Sequence, residues 1–207
     1  KSSTTEALRK FYEKNGYALL KKEDTFSDLI TLSQFWEDVE NQDRDRFSLR
    51  ILRRLFVLNY APNGMWTYAV SVFFMRNKDP DGLLEEEQFY QFLKKITGFI
   101  WTYAVTNPGV NALRTPVYAE MVNIVNGVPV TFADYKFEAE KVLNLFGNFT
   151  FSNIRPITKS MLAWWAFQDD KQELFPIETV LEIEHIYARN RYDKDKSLAD
   201  VKNLEAL

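Results

Sequence analysis

The single histidine, His185, stands in the stretch Val180-Leu181-Glu182-Ile183-Glu184-His185-Ile186-Tyr187-Ala188-Arg189-Asn190-Arg191, beside two carboxylates and two arginines. An imidazole near its ordinary pKa can take a proton from water, and guanidinium groups close by suit a phosphate. Val180 to Glu184 alternates apolar and charged residues, which predicts a short strand. With a period of two, Leu181, Ile183 and His185 share one face while Glu182 and Glu184 point the other way. The ring then sits at the rim of an apolar face, and Glu184 is not positioned to share its catalytic work. Arg189, Arg191, Lys194 and Lys196 follow, mixed with Asp193 and Asp195. Such a run supplies either phosphate contacts beside the imidazole or a solvated charged loop.

Other site chemistries lack their residues. The inverted zinc-protease motif needs a second histidine where Leu181 stands, and zero cysteines remove every thiolate cluster. Carboxylates and amides are the remaining hard ligands, so magnesium or manganese is favoured over zinc if an ion binds at all. No Gly-x-x-x-x-Gly-Lys loop and no Gly-x-Ser-x-Gly elbow occurs, which leaves ATP binding and a serine nucleophile without support. Lys+Arg 26 against Asp+Glu 29 gives a net charge of -3, so contact with DNA must come from a local patch.

One such patch lies on the helix predicted from Arg44 to Tyr60. Apolar residues occupy nearly all of its circumference: Phe47, Ile51, Leu55 and Leu58 form one stripe, and Leu49, Leu52 and Phe56 another. Arg46, Arg50 and Arg53 line up between the stripes. An arginine ridge grips phosphates or pairs with carboxylates on a neighbouring helix, such as the one bearing Glu37 and Glu40.

The elements that must position these side chains read as helices up to Gln168. A hydrophobic fraction of 46%, with 15% aromatic residues, is enough for a sizeable core. An amphipathic stretch to Tyr12 closes at Asn15-Gly16. Phe26, Leu29, Ile30, Leu32, Phe35, Trp36 and Val39 recur at helical steps from Thr25 to Glu40, predicting a helix that buries one broad face. Further helices are predicted over Met65 to Arg76, Leu83 to Thr106 after an Asp79-Pro80-Asp81-Gly82 turn that supplies its cap, and Val110 to Val125, where Pro116 must lie near the first turn or force a kink. Two more follow, Phe132 to Phe146 capped by Thr131, and Thr158 to Gln168. Trp36, Trp66, Trp101, Trp164 and Trp165 fall in apolar patterns and read as core rather than as a base pocket. Around Pro176 helical spacing gives way to alternation. The fold class is therefore mainly α, a multi-helix bundle-like body with a short β element near the carboxyl end, and the expected domains are 1–175 and 176–207.

Glu184-His185-Ile186, reached through an apolar strand and followed by Asn203-Leu204-Glu205-Ala206-Leu207, resembles the start of the HNH-like nuclease domain of GmrSD-type, modification-dependent restriction endonucleases. The chain departs from that family at Tyr187-Ala188-Arg189, where an apolar residue and proline are usual. No Gly-Asn pair follows His185, and the Asp-Gly-Gln-Gln-Arg motif of the family's nucleotide-associated domain does not occur. The resemblance implies a helical region joined to a truncated ββα-metal domain, with His185 as general base and magnesium or manganese in the full-length parent. It implies DNA as partner, together with the missing nucleotide-associated domain and the remainder of the nuclease domain. A cytoplasmic defence protein is then expected, with no membrane association and no ion held by these 207 residues alone. The other reading of the same residues is a non-catalytic helical module that positions other domains.

Overall fold

A computed structural model of the chain describes residues 5–14, 16–107, 113–151, 155 and 157–183. The described residues are mainly helical and contain eight helices: α1 (Thr5–Glu13), α2 (Glu23–Glu40), α3 (Leu49–Asn59), α4 (Met65–Asn77), α5 (Glu86–Thr106), α6 (Arg114–Val125), α7 (Ala139–Gly147) and α8 (Ile157–Ala166). No helix among them is long and apolar enough to cross a membrane.

Helix α3 lies at the centre because two of its faces are apolar. Ile51, Leu52, Leu55 and Leu58 enter a core shared with Phe35 and Val39 of α2, Phe74 of α4 and Leu93 of α5. Phe56 and Val57 face away, into a second cluster with Ala163 of α8 and Phe167. Helix α3 thus packs against both α5 and α8, while α4 packs against α2 and α6, and α7 against α5. All six of these α3 side chains are buried. At about 1.5–3 kcal/mol for each, they contribute gross stabilisation on the order of 10 kcal/mol, before the entropy of ordering the chain is set against it. Aromatic stacks fill the space between helices: Phe35 on Phe74 at 4.2 Å and Phe73 on Phe92 at 4.1 Å between ring centres.

Three details differ from the sequence-based reading. Helix α2 buries Phe35 and Val39 in its second half, but Phe26, Leu29 and Ile30 in its first half are 68%, 57% and 56% exposed. Periodicity identifies an apolar face without identifying its cover. Helix α5 starts at Glu86 and is capped by Glu85, whose carboxylate accepts from the amides of Glu87 and Gln88. Asp79 instead closes the preceding turn by accepting from Asp81 and Leu83. The helix expected from Phe132 begins only at Ala139. The buried carboxylate of Glu120 captures the amides of Thr131 and Phe132, and Phe132 takes a φ of +51° with its ring stacked on Phe99 at 3.7 Å. Those amides are thereby held outside a helix, and the hydrogen bonds satisfy a charge that burial would otherwise penalise.

No strand occurs among the described residues, and 180–183 belong to no regular element. The rest of the expected β element, from Glu184 on, lies outside the described residues.

Candidate functional site

The arginines of α3 and the segment just before it are distributed among partners inside the fold. Arg46 Nε donates to Asp38 at 3.1 Å, and its Nη2 donates to the Gly82 carbonyl at 2.9 Å. Gly82 has a φ of +74°, a conformation glycine adopts without strain, so glycine suits the turn. Arg50 reaches Glu86 at 2.6 Å and Glu87 at 2.9 Å across to α5, and lies over the Tyr90 ring. Hydrogen bonding to Glu86 holds the Arg50 proton more tightly than usual. Arg50 in turn keeps Glu86 below the ordinary carboxylate range, while Gln91 and then Arg50 do the same for Glu87. The acidic helix named from sequence supplies Asp38 rather than Glu37 or Glu40, and the other carboxylates come from the start of α5.

Arg53 differs in taking no carboxylate. It donates to the carbonyls of Phe167, Asp170 and Gln172 at 3.3, 3.3 and 2.6 Å, and Phe167 lies under its guanidinium. These carbonyls begin a strap, residues 167–181, that follows α8 and lies against α3. Further along, Gln42 donates to the Phe175 carbonyl at 2.9 Å and Asn59 to that of Ile177 at 2.9 Å. Tyr60 donates its hydroxyl to the Thr179 carbonyl. Burial raises the pKa of the Tyr60 hydroxyl, with the Leu181 backbone acting in the opposite sense, so the phenol stays protonated and a donor at neutral pH. Leu174, Ile177 and Leu181 pack against the cluster of Phe56 and Phe167.

The strap leads into the alternating stretch read as a strand, Val180 to Glu184, without itself being extended throughout. Its carbonyls at 175, 177 and 179 are satisfied by side chains of the α2–α3 turn and the α3 terminus, while a turn closed from the Thr179 amide to the Pro176 carbonyl interrupts any extended run. The expected domain boundary at 175/176 falls inside this strap.

A buried relay braces the same region. Trp101 of α5 donates to the Ser160 hydroxyl of α8 at 2.9 Å, and Ser160 donates to the Val57 carbonyl of α3 at 2.7 Å. Between α3 and α8 a cleft of about 310 Å³ is lined by Arg50, Arg53, Arg54, Tyr90 and Trp164 among others. Trp66 is buried and Trp36, Trp101 and Trp164 are packed at the edge of the core, whereas Trp165 is 70% exposed.

His185, Arg189 and Arg191 lie outside the described residues. Among the described residues no group of three or more His, Cys, Asp or Glu side chains converges. Spacing singled out Arg46, Arg50 and Arg53 but gave no sign of Gln42, Asn59 or Tyr60, because single amide and phenol donors at helix ends follow no pattern. No protein-family model matches the chain, and neither a curated protein nor a solved structure does so.

Proposed function

We propose that the helical body is a mount for the segment bearing His185, within a metal-dependent DNA endonuclease that acts against foreign or modified DNA. The observation that carries this reading is the strap: Gln42, Arg53, Asn59 and Tyr60 bind six backbone carbonyls from Phe167 to Thr179, immediately ahead of the histidine stretch. Contacts to carbonyls fix the path of a chain whatever its side chains are, as a domain-positioning element requires. The nuclease half of the reading rests on the resemblance at Glu184-His185-Ile186, with His185 as general base, Arg189 and Arg191 on the phosphate backbone, and the ion held by the family's later motif residues in the full-length parent. A general base alone supplies only about 10²–10⁴-fold, so these 207 residues by themselves should not cut DNA.

The test uses this chain and one extended through the Gly-Asn-Leu segment of the family, each incubated with magnesium or manganese and modified or unmodified duplex. Cleavage confined to the extended chain and abolished by His185→Ala is expected. Asn59→Ala with Tyr60→Phe should lower kcat in the extended chain while leaving its helical content unchanged. Cleavage by the short chain, or cleavage that survives His185→Ala, would defeat the assignment.

On this reading the arginine ridge acts within the fold. Replacing Arg46, Arg50 and Arg53 by Gln should lower thermal stability and leave the salt dependence of DNA binding unchanged. A salt dependence flattened by up to about three phosphate equivalents would return the ridge to DNA.

A further inference from the structure

A second collection of cations has few internal partners and no carboxylate among them. The end of α4, the middle of α5 and the loop after α6 enclose an open groove of about 830 Å³. Arg76, Lys94 and Lys95 line it, and no carboxylate does. Among the described residues neither Arg76 nor Lys94 has a hydrogen-bond or ion-pair partner, and Lys95 donates once, to the Val130 carbonyl at 2.8 Å. The carboxylates on the bordering segments are occupied: Glu87 binds Arg50 and Gln91, and Glu120 binds the amides of Thr131 and Phe132. Helices α4 and α6 both end at the groove, and their carbonyl ends together offset roughly one positive charge. Three full cations exceed that.

We infer that this groove binds a phosphate-bearing ligand, with Arg76, Lys94 and Lys95 on the phosphate. A guanidinium fork with two mobile ammonium groups matches the several oxygens of one phosphate better than a single carboxylate. Hydrogen-bonding capacity remains for an attached base. The Gln88 side chain is unpaired among the described residues, and Asn77 spends its amide donor on the Phe73 carbonyl, leaving its oxygen free. Beneath lie the stacked rings of Phe73 and Phe92, an apolar floor for a planar group. The volume falls in the range of small-ligand sites. A free nucleotide and the phosphodiester of a nucleic acid present this same chemistry.

Two glycines bear on the groove. Gly127, at a φ of +71°, ends α6, and a Cβ there would meet the Arg76 guanidinium at 3.7 Å. Gly98 sits in α5 one turn beyond the two lysines, and a Cβ there meets nothing within 4 Å. A side chain at 98 would lean toward the helix start, over Lys94 and Lys95. Gly98→Leu therefore obstructs the groove while improving helix propensity, so it should fold at least as well as the parent sequence.

The experiment measures binding of inorganic phosphate, deoxycytidine 5′-monophosphate and a 20-base-pair duplex to the full chain by calorimetry, and repeats it with Arg76→Gln/Lys94→Gln and with Gly98→Leu. Binding of the mononucleotide or of the duplex should weaken about tenfold or more in the charge variant and be lost in Gly98→Leu, with melting temperatures maintained. Loss confined to the mononucleotide identifies a free nucleotide as the source, and loss of duplex binding identifies nucleic acid. No binding of any of the three probes, or binding unchanged in both variants, overturns the inference.

Discussion

The arginines held by α3 and the cations around the α4–α5 groove are both basic regions, and they are constructed in opposite ways. Around α3 the three arginines of the ridge have internal partners: Arg46 has Asp38, Arg50 has Glu86 and Glu87, and Arg53 has three backbone carbonyls. At the groove Arg76 and Lys94 face open space. A regular row of arginines on a helix in the middle of a fold meets neighbouring helices on every side, so its charges must be answered internally. Cations brought together from separate elements at the rim are under no such demand. The regularity that makes a ridge conspicuous in sequence is thus associated here with internal partners, and unpaired positive charge comes from scattered positions.

The sharpest way to test this contrast is Arg53. Arg53→Ala removes donors from the Phe167, Asp170 and Gln172 carbonyls and uncovers the Phe167 ring. Hydrogen bonds from a charged donor, partly shielded, should make this worth about 2–3 kcal/mol, or roughly 5–10 °C in melting temperature. Arg53 Nε is itself buried without a hydrogen-bond partner among the described residues, which lowers the net value of the charge. Arg53→Met, which keeps the aliphatic stem over Phe167, should therefore lose less than Arg53→Ala. By contrast Arg76→Gln should leave the stability within about 0.5 kcal/mol of the parent, as surface changes do. Equal losses at Arg53 and Arg76 in thermal denaturation would erase the distinction.

The Ser160 relay comes next in size. Ser160→Ala leaves the Trp101 indole N–H without its acceptor, and should lower stability by about 1–2 kcal/mol. Trp101→Phe in the same chain removes the stranded donor, so the double variant should be less unstable than the sum of the two single changes. Additive losses in urea unfolding would show that the relay does not act as a unit. For the strap, Asn59→Ala with Tyr60→Phe should speed amide hydrogen exchange over 177–183 with little change in that of α5. Exchange accelerated equally in both would mean that the strap and the core open together.

What the sequence made legible was helix type and order. The stretches around α2, α4, α5, α6 and α8 announce themselves by three- and four-residue recurrence, and Pro116 falls inside the first turn of α6, where its missing N–H does no harm. The start of α7 was not legible, because the capture of the Thr131 and Phe132 amides depends on Glu120, eleven and twelve residues away on another helix. The exposure of Phe26, Leu29 and Ile30 was hidden for a related reason: a periodic face records that it can be covered, and not what covers it. In the candidate site, arginine spacing located α3 as the organising helix but did not reveal whether its partners were acids, carbonyls or phosphates. That choice depends on Glu86, Glu87 and Gln172, far along the chain. The groove was least legible of all, since Arg76, Lys94 and Gly127 share no motif.

The smallest expected effect separates the arginines of α3 from one another by pH. Arg50 is answered by Glu86 and Glu87, whose pKa values are depressed in the folded chain, whereas Arg53 is answered by carbonyls that do not titrate. A depressed carboxylate pKa means that the unfolded chain binds the proton first. The stabilisation is therefore present above the unfolded value of about 4.3 and is lost as pH falls through the lower folded value. The pair is exposed, so salt should weaken it as well. Glu86→Gln/Glu87→Gln should lower the melting temperature slightly at pH 7 in low salt, and this deficit should shrink both at pH 3 and in 1 M sodium chloride. Over the same conditions the deficit of Arg53→Ala should stay nearly constant, because neither partner in that clamp changes charge. A deficit in the glutamine variant that is indifferent to pH and salt would show that Glu86 and Glu87 act by packing at the start of α5 and not by answering Arg50.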